Sequence, residues 1–225
     1  MVKSKLMTVK QLEQGTLLRL RKILIFSVII VSIGACRVRE ARPEASMSLG
    51  KNRISMEAAQ TVKKKWAEPL DLPGVPNLYK VSDDLYRGAQ PTGEGMKQLE
   101  KLGIETDVNL RFIHSDRAKI KGTALDYEHI NVTSFWPRTR DVVRFLKIAT
   151  DKERTPVFVH CHKGIDRAGM MCAVYRVVVQ GWSKEQAIEE MTRGGFARRR
   201  PYGSVVNFVR DLDVDRVKHL AGLKE

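Results

Sequence analysis

Downstream of residue 80, short apolar runs alternate with longer stretches of helical period. "DLYRG" at 84–88 predicts a short strand. "PTGEGMKQLEKLG" at 91–103 predicts a helix: Thr92 can cap it, Met96, Leu99 and Leu102 share a face, and Gly103 sits where a helix ends. "IETDVNLR" at 104–111 and "LDYEHINV" at 125–132 read as strands, with Val108 and Leu110 on one face of the first. "RDVVRFLKIATD" at 140–151 is amphipathic at helical spacing, and "PVFVH" at 156–160 reads as a buried strand. A helix is expected after Arg167, another over "SKEQAIEEMTRGG" at 183–195 with Ser183 as its cap, and a last one over "GSVVNFVRDLD" at 203–213. Strands alternating with helices predict an α/β domain, a central sheet with helices on both faces. No internal repeat is visible.

The 225 residues, 43% of them hydrophobic, suffice for one well-packed domain with some chain to spare, and exclude wholesale disorder. The net charge is +14, of which the first 36 residues contribute six basic and one acidic residue. A basic surface favours anionic partners, such as phosphorylated substrates or lipid headgroups, or serves solubility alone. No basic stripe interleaved with aromatics is present, so a nucleic-acid partner is not expected. Three cysteines, Cys36, Cys161 and Cys172, form neither a disulfide framework nor a zinc-type pair, so each needs its own account.

The first account lies in "RLRKILIFSVIIVSIGAC" at 19–36. Arg19, Arg21 and Lys22 precede an apolar run from Ile23 to Ile33, which is too short for a spanning helix of roughly 20 residues. It fits the apolar core of a signal peptide. "IGAC" resembles the lipobox of bacterial lipoproteins, in which the matching cysteine, here Cys36, is lipidated and becomes the mature N-terminus. The alternative is an uncleaved anchor. Either implies export and attachment at the cell envelope. Arg37 in place of Asp after the cysteine resembles lipoproteins sent to the outer membrane of Gram-negative cells. Residues 37–66 mix charge with small residues and read as a tether, with "SMEAAQTVKKKWA" as a candidate short helix; residues 67–225 form the domain.

The second account lies in "VFVHCHKGIDRAGM" at 157–170, where a buried strand stops at a polar cluster and a helix begins near Arg167. Open α/β sheets bind ligands at that edge. A helix N-terminus aims unpaired N–H groups and partial positive charge at what lies before it, and a loop curling over it makes an anion nest. Gly164 lets the backbone approach an anion closely, and Arg167 can hold two phosphate oxygens. A thiolate in such a field is a nucleophile. Nest, guanidinium and thiolate together describe a phosphate-ester cleaving site that needs no metal and no cofactor.

"HCHKGIDR", with five residues between cysteine and arginine, matches the signature of the cysteine-dependent protein tyrosine and dual-specificity phosphatases. "LYRGAQPTGEGMKQLEKLGIETDVNLR" and "PVFVHCHKGIDRAG" resemble their compact bacterial and fungal/plant branch, over roughly residues 67–215. The resemblance implies Cys161 as nucleophile, Arg167 as phosphate clamp, and the backbone of His162, Lys163, Gly164, Ile165, Asp166 and Arg167 as cradle. It implies that His160 helps set the thiolate and that Arg87, Gln90 and Arg111 line the pocket, although Arg87 and Arg111 can also be plain ion-pair partners. The implied substrates are phosphotyrosine-type or dual-specificity protein esters, or phosphoinositides and inositol phosphates. Cys172 is expected as a buried thiol, with a reversible disulfide to Cys161 as the sharper reading. "RRR" at 198–200 is either a solvated run or a contact for a polyanion.

Two departures stand out. Tyrosine phosphatases carry an acidic proton donor on a separate loop, often after Trp-Pro; here Trp136 and Pro137 are followed by Arg138, which cannot donate a proton near neutral pH. The candidates are Asp166, as the "DR" pair of myotubularin-like and Sac-type phosphatases implies, and Asp141. Ala168 stands where the family has Ser or Thr, whose hydroxyl stabilises the departing thiolate, so slow breakdown of a phosphoenzyme is expected. A phosphate-binding module without turnover and a rhodanese-like sulfurtransferase are the competing readings. The "YRGAQP" segment and the Gly164–Arg167 spacing disfavour the latter.

Overall fold

The computed structural model describes residues 64–197 and 199–224. The expected export segment 1–36 with Cys36, the tether up to residue 63, and Arg198 lie outside them.

One six-stranded sheet organises the domain, in the order β1-β2-β3-β6-β4-β5. The strands are β1 (Glu68–Pro69), β2 (Tyr79–Lys80), β3 (Leu85–Gly88), β4 (Thr106–Asn109), β5 (Asp126–His129) and β6 (Val157–His160). The last four are mutually parallel, whereas β1 and β2 add an antiparallel edge. In register, Gly88 and Asn109 flank His160, and His129 flanks Asn109, so four strands end in one line. The loops that leave them share one edge, where open α/β sheets place ligands.

The two faces of the sheet carry two cores. On one, α1 (Gly93–Lys101) lays Met96 and Leu99 against Tyr86 and Phe158. On the other, α2 (Thr139–Ala149), α3 (Arg167–Val178), α4 (Lys184–Arg193), α5 (Gly203–Arg210) and α6 (Val214–Ala221) pack against Leu85, Val108, Val157 and Val159. Alternation along each strand supplies both: on β6, Val157 and Val159 face the second core and Phe158 the first. Every residue of α3 after its first is buried, so this helix is the spine of the larger core.

Local signals act as read: Thr92 accepts from the Gly95 N–H, and Ser183 forms a capping box with Gln186. The expected last helix over 203–213 ends instead at Arg210. Asp213 accepts from the Arg216 N–H and caps a further helix, α6. At the opposite end, the N–H of Ala67 donates to Glu190 Oε1 at 2.6 Å. Glu190 is also paired with Arg176 at 2.6 and 2.8 Å, and the guanidinium lies 4.2 Å from the Trp182 ring centre. This buried pair ties the start of the domain to α3 and α4.

Candidate active site

The loop 161–166 joins β6 to α3, and four consecutive carbonyls of it are held from outside. The Cys161 carbonyl lies 3.3 Å from His160 Nδ1. The His162 carbonyl accepts from the Gln90 N–H at 3.3 Å, the Lys163 carbonyl from Asn77 Nδ2 at 3.0 Å, and the Gly164 carbonyl from Arg87 Nη2. In a trans peptide the carbonyl and the next N–H point in opposite directions. Turning carbonyls 161–164 toward the scaffold therefore turns the N–H groups of 162–165 inward. None of the N–H groups of residues 162–166 donates to another backbone group among the described residues. Inward N–H groups in front of the α3 N-terminus make an anion cradle.

Gly164 is required here twice over. Its φ is +72°, and a Cβ would come within 2.6 Å of the Gly88 carbonyl oxygen. Cys161 is 3% exposed at the floor of an open cleft of about 400 Å³. Arg167 is anchored by Nη1 to the carbonyls of Leu110, directly after β4, and Val132, in the loop after β5, at 3.3 and 3.5 Å. Its Nε is buried without a partner among the described residues, a donor suited to a phosphate oxygen. Phe112, Phe135 and Tyr202 form an exposed aromatic rim to the cleft, and Lys163 and Arg199 add positive charge.

Arg87, Gln90 and Arg111 depart from the expectation that they line the pocket. Arg87 is 2% exposed behind the loop, its guanidinium 3.7 Å from the Phe196 ring centre while it holds Gly164. Arg111 donates to Gln90 Oε1 at 2.7 Å, and Gln90 donates to Asp116 Oδ1 at 2.7 Å. Arg87 and the Gln90 N–H hold the loop from outside, because its outward carbonyls demand donors there, and Arg111 braces the Gln90 side chain.

The two acid candidates part company. Asp166 lines the cleft, where Arg199 and the Tyr202 N–H donate to its carboxylate. Asp141 lies in the first turn of α2, with Arg138 Nε at 2.8 Å and Arg140 Nε at 3.7 Å, and is not part of the cleft wall. Trp136 is 78% exposed beyond the rim. Cys172 is buried on α3, and burial pushes its thiol up to about 11.

Sequence reasoning missed several supporting residues. Asn77, at φ +58°, bridges Lys163 and Phe196; its signal was an Asn in the turn sequence "GVPNLY". Asp107 and Asp116 face His160 Nε2 at 3.3 and 3.4 Å. An acid inside the apolar strand "DVNL" was the available hint for Asp107. Arg199 and Tyr202 carry no sequence signal beyond the basic run.

The chain is similar to known phosphatases. A family model described as DSP-PTPase phosphatase fused to NAD+ kinase matches residues 77–201. Dual specificity protein phosphatase TpbA of Pseudomonas aeruginosa strain UCBPP-PA14 is 36% identical over 169 residues, 72% of this chain and 75% of that protein. The crystal structure of P. aeruginosa TpbA has a TM-score of 0.62 at 32% identity, covering 72% of this chain and 99% of that one. Inositol diphosphatase DSP5 of Arabidopsis thaliana is 25% identical over 154 residues, 64% of this chain and 72% of that protein. The core catalytic domain of the PP-IP phosphatase SIW14 of S. cerevisiae shares the fold, with a TM-score of 0.60 at 20% identity, over 68% of this chain and 94% of that one. The chain belongs to the dual-specificity-like phosphatase family.

Proposed function

We propose that this phosphatase hydrolyses phosphate monoesters through a phosphocysteine. Cys161 attacks phosphorus in line with the leaving oxygen, and the P–O bond to that oxygen breaks as the S–P bond forms. Arg167 and the inward N–H groups hold the three peripheral oxygens, whose charge they balance without a metal. Water then attacks the phosphocysteine, releasing inorganic phosphate and the thiolate. The observation that carries this reading is the set of four outward carbonyls behind a buried cysteine. Trapping tests it: after acid quench of a reaction with a radiolabelled phosphotyrosyl peptide, label is expected on Cys161 and absent from Cys161→Ser. Label that persists in that variant overturns it.

The aromatic rim supports an aryl ester such as a phosphotyrosyl protein, the class named in the crystal structure of TpbA in complex with pTyr. A second substrate class, inositol phosphates and phosphoinositides, is favoured by Lys163 and Arg199 beside the cradle, and by the inositol diphosphatases among the relatives. Asp166 is the leaving-group acid in this reading, because it is the acid of the cleft. Ala168 slows the second step and leaves a phosphate-binding role as the limit of very slow turnover.

The reading extends to location: export and lipid attachment at Cys36, on the cell envelope, supported by "RLRKILIFSVIIVSIGAC". Cys36→Ser is expected to move the protein from the membrane to the soluble fraction, and an unchanged distribution contradicts lipid attachment.

A further inference from the structure

On the α1 face of the sheet, behind the anion loop, lies a sealed polar cluster. His160, Asp107 and Asp116 are all 1% exposed or less. Nε2 of His160 stands 3.3 Å from Asp107 Oδ1 and 3.4 Å from Asp116 Oδ2, while its Nδ1 stands 3.3 Å from the Cys161 carbonyl. The ring is fixed in that pose by Phe158, stacked on it at 5.6 Å between centres. The two carboxylates differ in their company. Asp116 accepts from Gln90 and Asn109 at 2.7 Å each and pairs with Lys119 at 3.3 Å. Among the described residues neither oxygen of Asp107 makes a hydrogen bond, and nor does Nε2 of His160, so the two meet as charges at 3.3 Å. A carboxylate is retained inside an apolar sheet at a cost of several kcal/mol unless a charge or donor meets it. The ring of His160 is what meets this one.

We propose that Asp107 is a positioning residue of the phosphatase reaction: from behind the sheet it keeps both ring nitrogens of His160 protonated, so that the ring holds the first carbonyl of the anion loop and sets a positive charge beside the nucleophile. A neutral ring has one N–H and cannot serve the carboxylates and the Cys161 carbonyl together. The charged ring sets an N–H at Nε2 facing both carboxylates within 3.4 Å and an N–H at Nδ1 toward that carbonyl.

Burial opposes charge on the ring, but the attraction of Asp107 and the bonds to Asp107 and Asp116 outweigh it and push His160 up to about 9. Burial likewise opposes ionisation of Asp116, and the bonds from His160 and Gln90 outweigh it, to about 2. Burial raises Asp107, with the His160 charge as the main counterweight.

The charged and titratable groups around the ring are Asp107 from β4 and Asp116 from the loop after β4, with Lys119 beyond it. Phe158 of β6 and Met96 and Leu99 of α1 bring no charge. Around Cys161 stand His162, Lys163, Asp166 and Arg167 of the loop, Arg199 from the stretch after α4, and Arg87 and Cys172 on the other face.

The inference rests on Cys161 as nucleophile, yet its test needs no substrate. Alkylation of Cys161 by iodoacetamide in the full chain, read by peptide mass spectrometry, is followed against pH for wild type and Asp107→Asn. The expected result is alkylation about tenfold slower at pH 6 in the variant, one pH unit of displacement, with no difference at pH 9.5. Coincident profiles in a folded variant overturn the proposal. Should Asp107→Asn fail to fold, the decision passes to the unaltered chain. There, ¹⁵N shifts of His160 at pH 7.5 are expected to show two protonated ring nitrogens, and one unprotonated nitrogen overturns it. A chain that shows the displaced profile but no phosphatase turnover leaves the coupling of Asp107 to Cys161 through His160 standing and refutes the reaction it is proposed to serve.

Discussion

Arg199 holds Asp166 across the mouth of the cleft, with Nη2 at 2.5 Å from Oδ2 and Nη1 at 3.3 Å from Oδ1. The Tyr202 N–H adds a third donor at 3.0 Å. The bond to Asp166 raises Arg199 above its ordinary value, which reinforces the pair. Both oxygens of the Asp166 carboxylate accept hydrogen bonds in this arrangement. An arriving phosphoester competes for the same guanidinium, so substrate binding and release of the acid are coupled in this arrangement.

The choice of acid is settled by the leaving group. A poor leaving group needs its proton, worth about 10² to 10⁴ in rate, and a good one needs it far less. Asp166→Asn is therefore expected to lower kcat on phenyl phosphate about a hundredfold, with a much smaller loss on p-nitrophenyl phosphate. Asp141→Asn, paired within its own helix turn and outside the cleft wall, is expected to leave the ratio of the two rates unchanged. The measurement is kcat for each ester in each variant, and the reverse pattern assigns the acid to Asp141.

Ala168 is fully buried at the start of α3. Ala168→Ser restores a hydroxyl for the departing thiolate. One hydrogen bond of about 1 kcal/mol corresponds to roughly a fivefold faster breakdown of the phosphoenzyme. Rapid-quench kinetics are expected to show a burst in wild type that shrinks as kcat rises in the variant.

Arg176 and Glu190 are each 3% exposed, and the pair also anchors Ala67. Removing one partner strands the other charge. Arg176→Ala is expected to cost about 3 to 5 kcal/mol in urea unfolding, whereas a surface pair such as Arg193–Glu189 is worth under about 1 kcal/mol.

The buried His160 also links stability to pH. Its folded value of about 9 lies above the ordinary 6.5, so its contribution is fully present below 6.5 and is lost as pH rises through about 9. The stability advantage of wild type over Asp107→Asn is thus expected to shrink between pH 6.5 and 9, measured by thermal unfolding. An advantage that is flat over that window contradicts the linkage.

The parallel centre of the sheet was legible because its signals are local: short apolar strand runs such as "PVFVH", the Thr92 and Ser183 caps, and Gly103 at a helix end. The loop was legible because its cysteine, glycine and arginine follow one another at three-residue spacing. The edge strands Glu68–Pro69 and Tyr79–Lys80 were not, since two residues carry no period. Helix α6 was hidden because the polar "DLD" reads as the tail of one helix, while Asp213 caps the next. The donors that hold the loop, from Asn77 to Arg87, and the acids behind His160 are set by pairings across 44 to 86 residues or by a sheet register. No local pattern encodes those.

The central claim is a metal-independent cysteine phosphatase. Its most direct test is hydrolysis of p-nitrophenyl phosphate by the full chain, reduced and with EDTA present, beside Cys161→Ser. Steady turnover that persists in EDTA and vanishes in the variant is the predicted result. Turnover retained by Cys161→Ser, or none at all from folded and reduced protein, contradicts it.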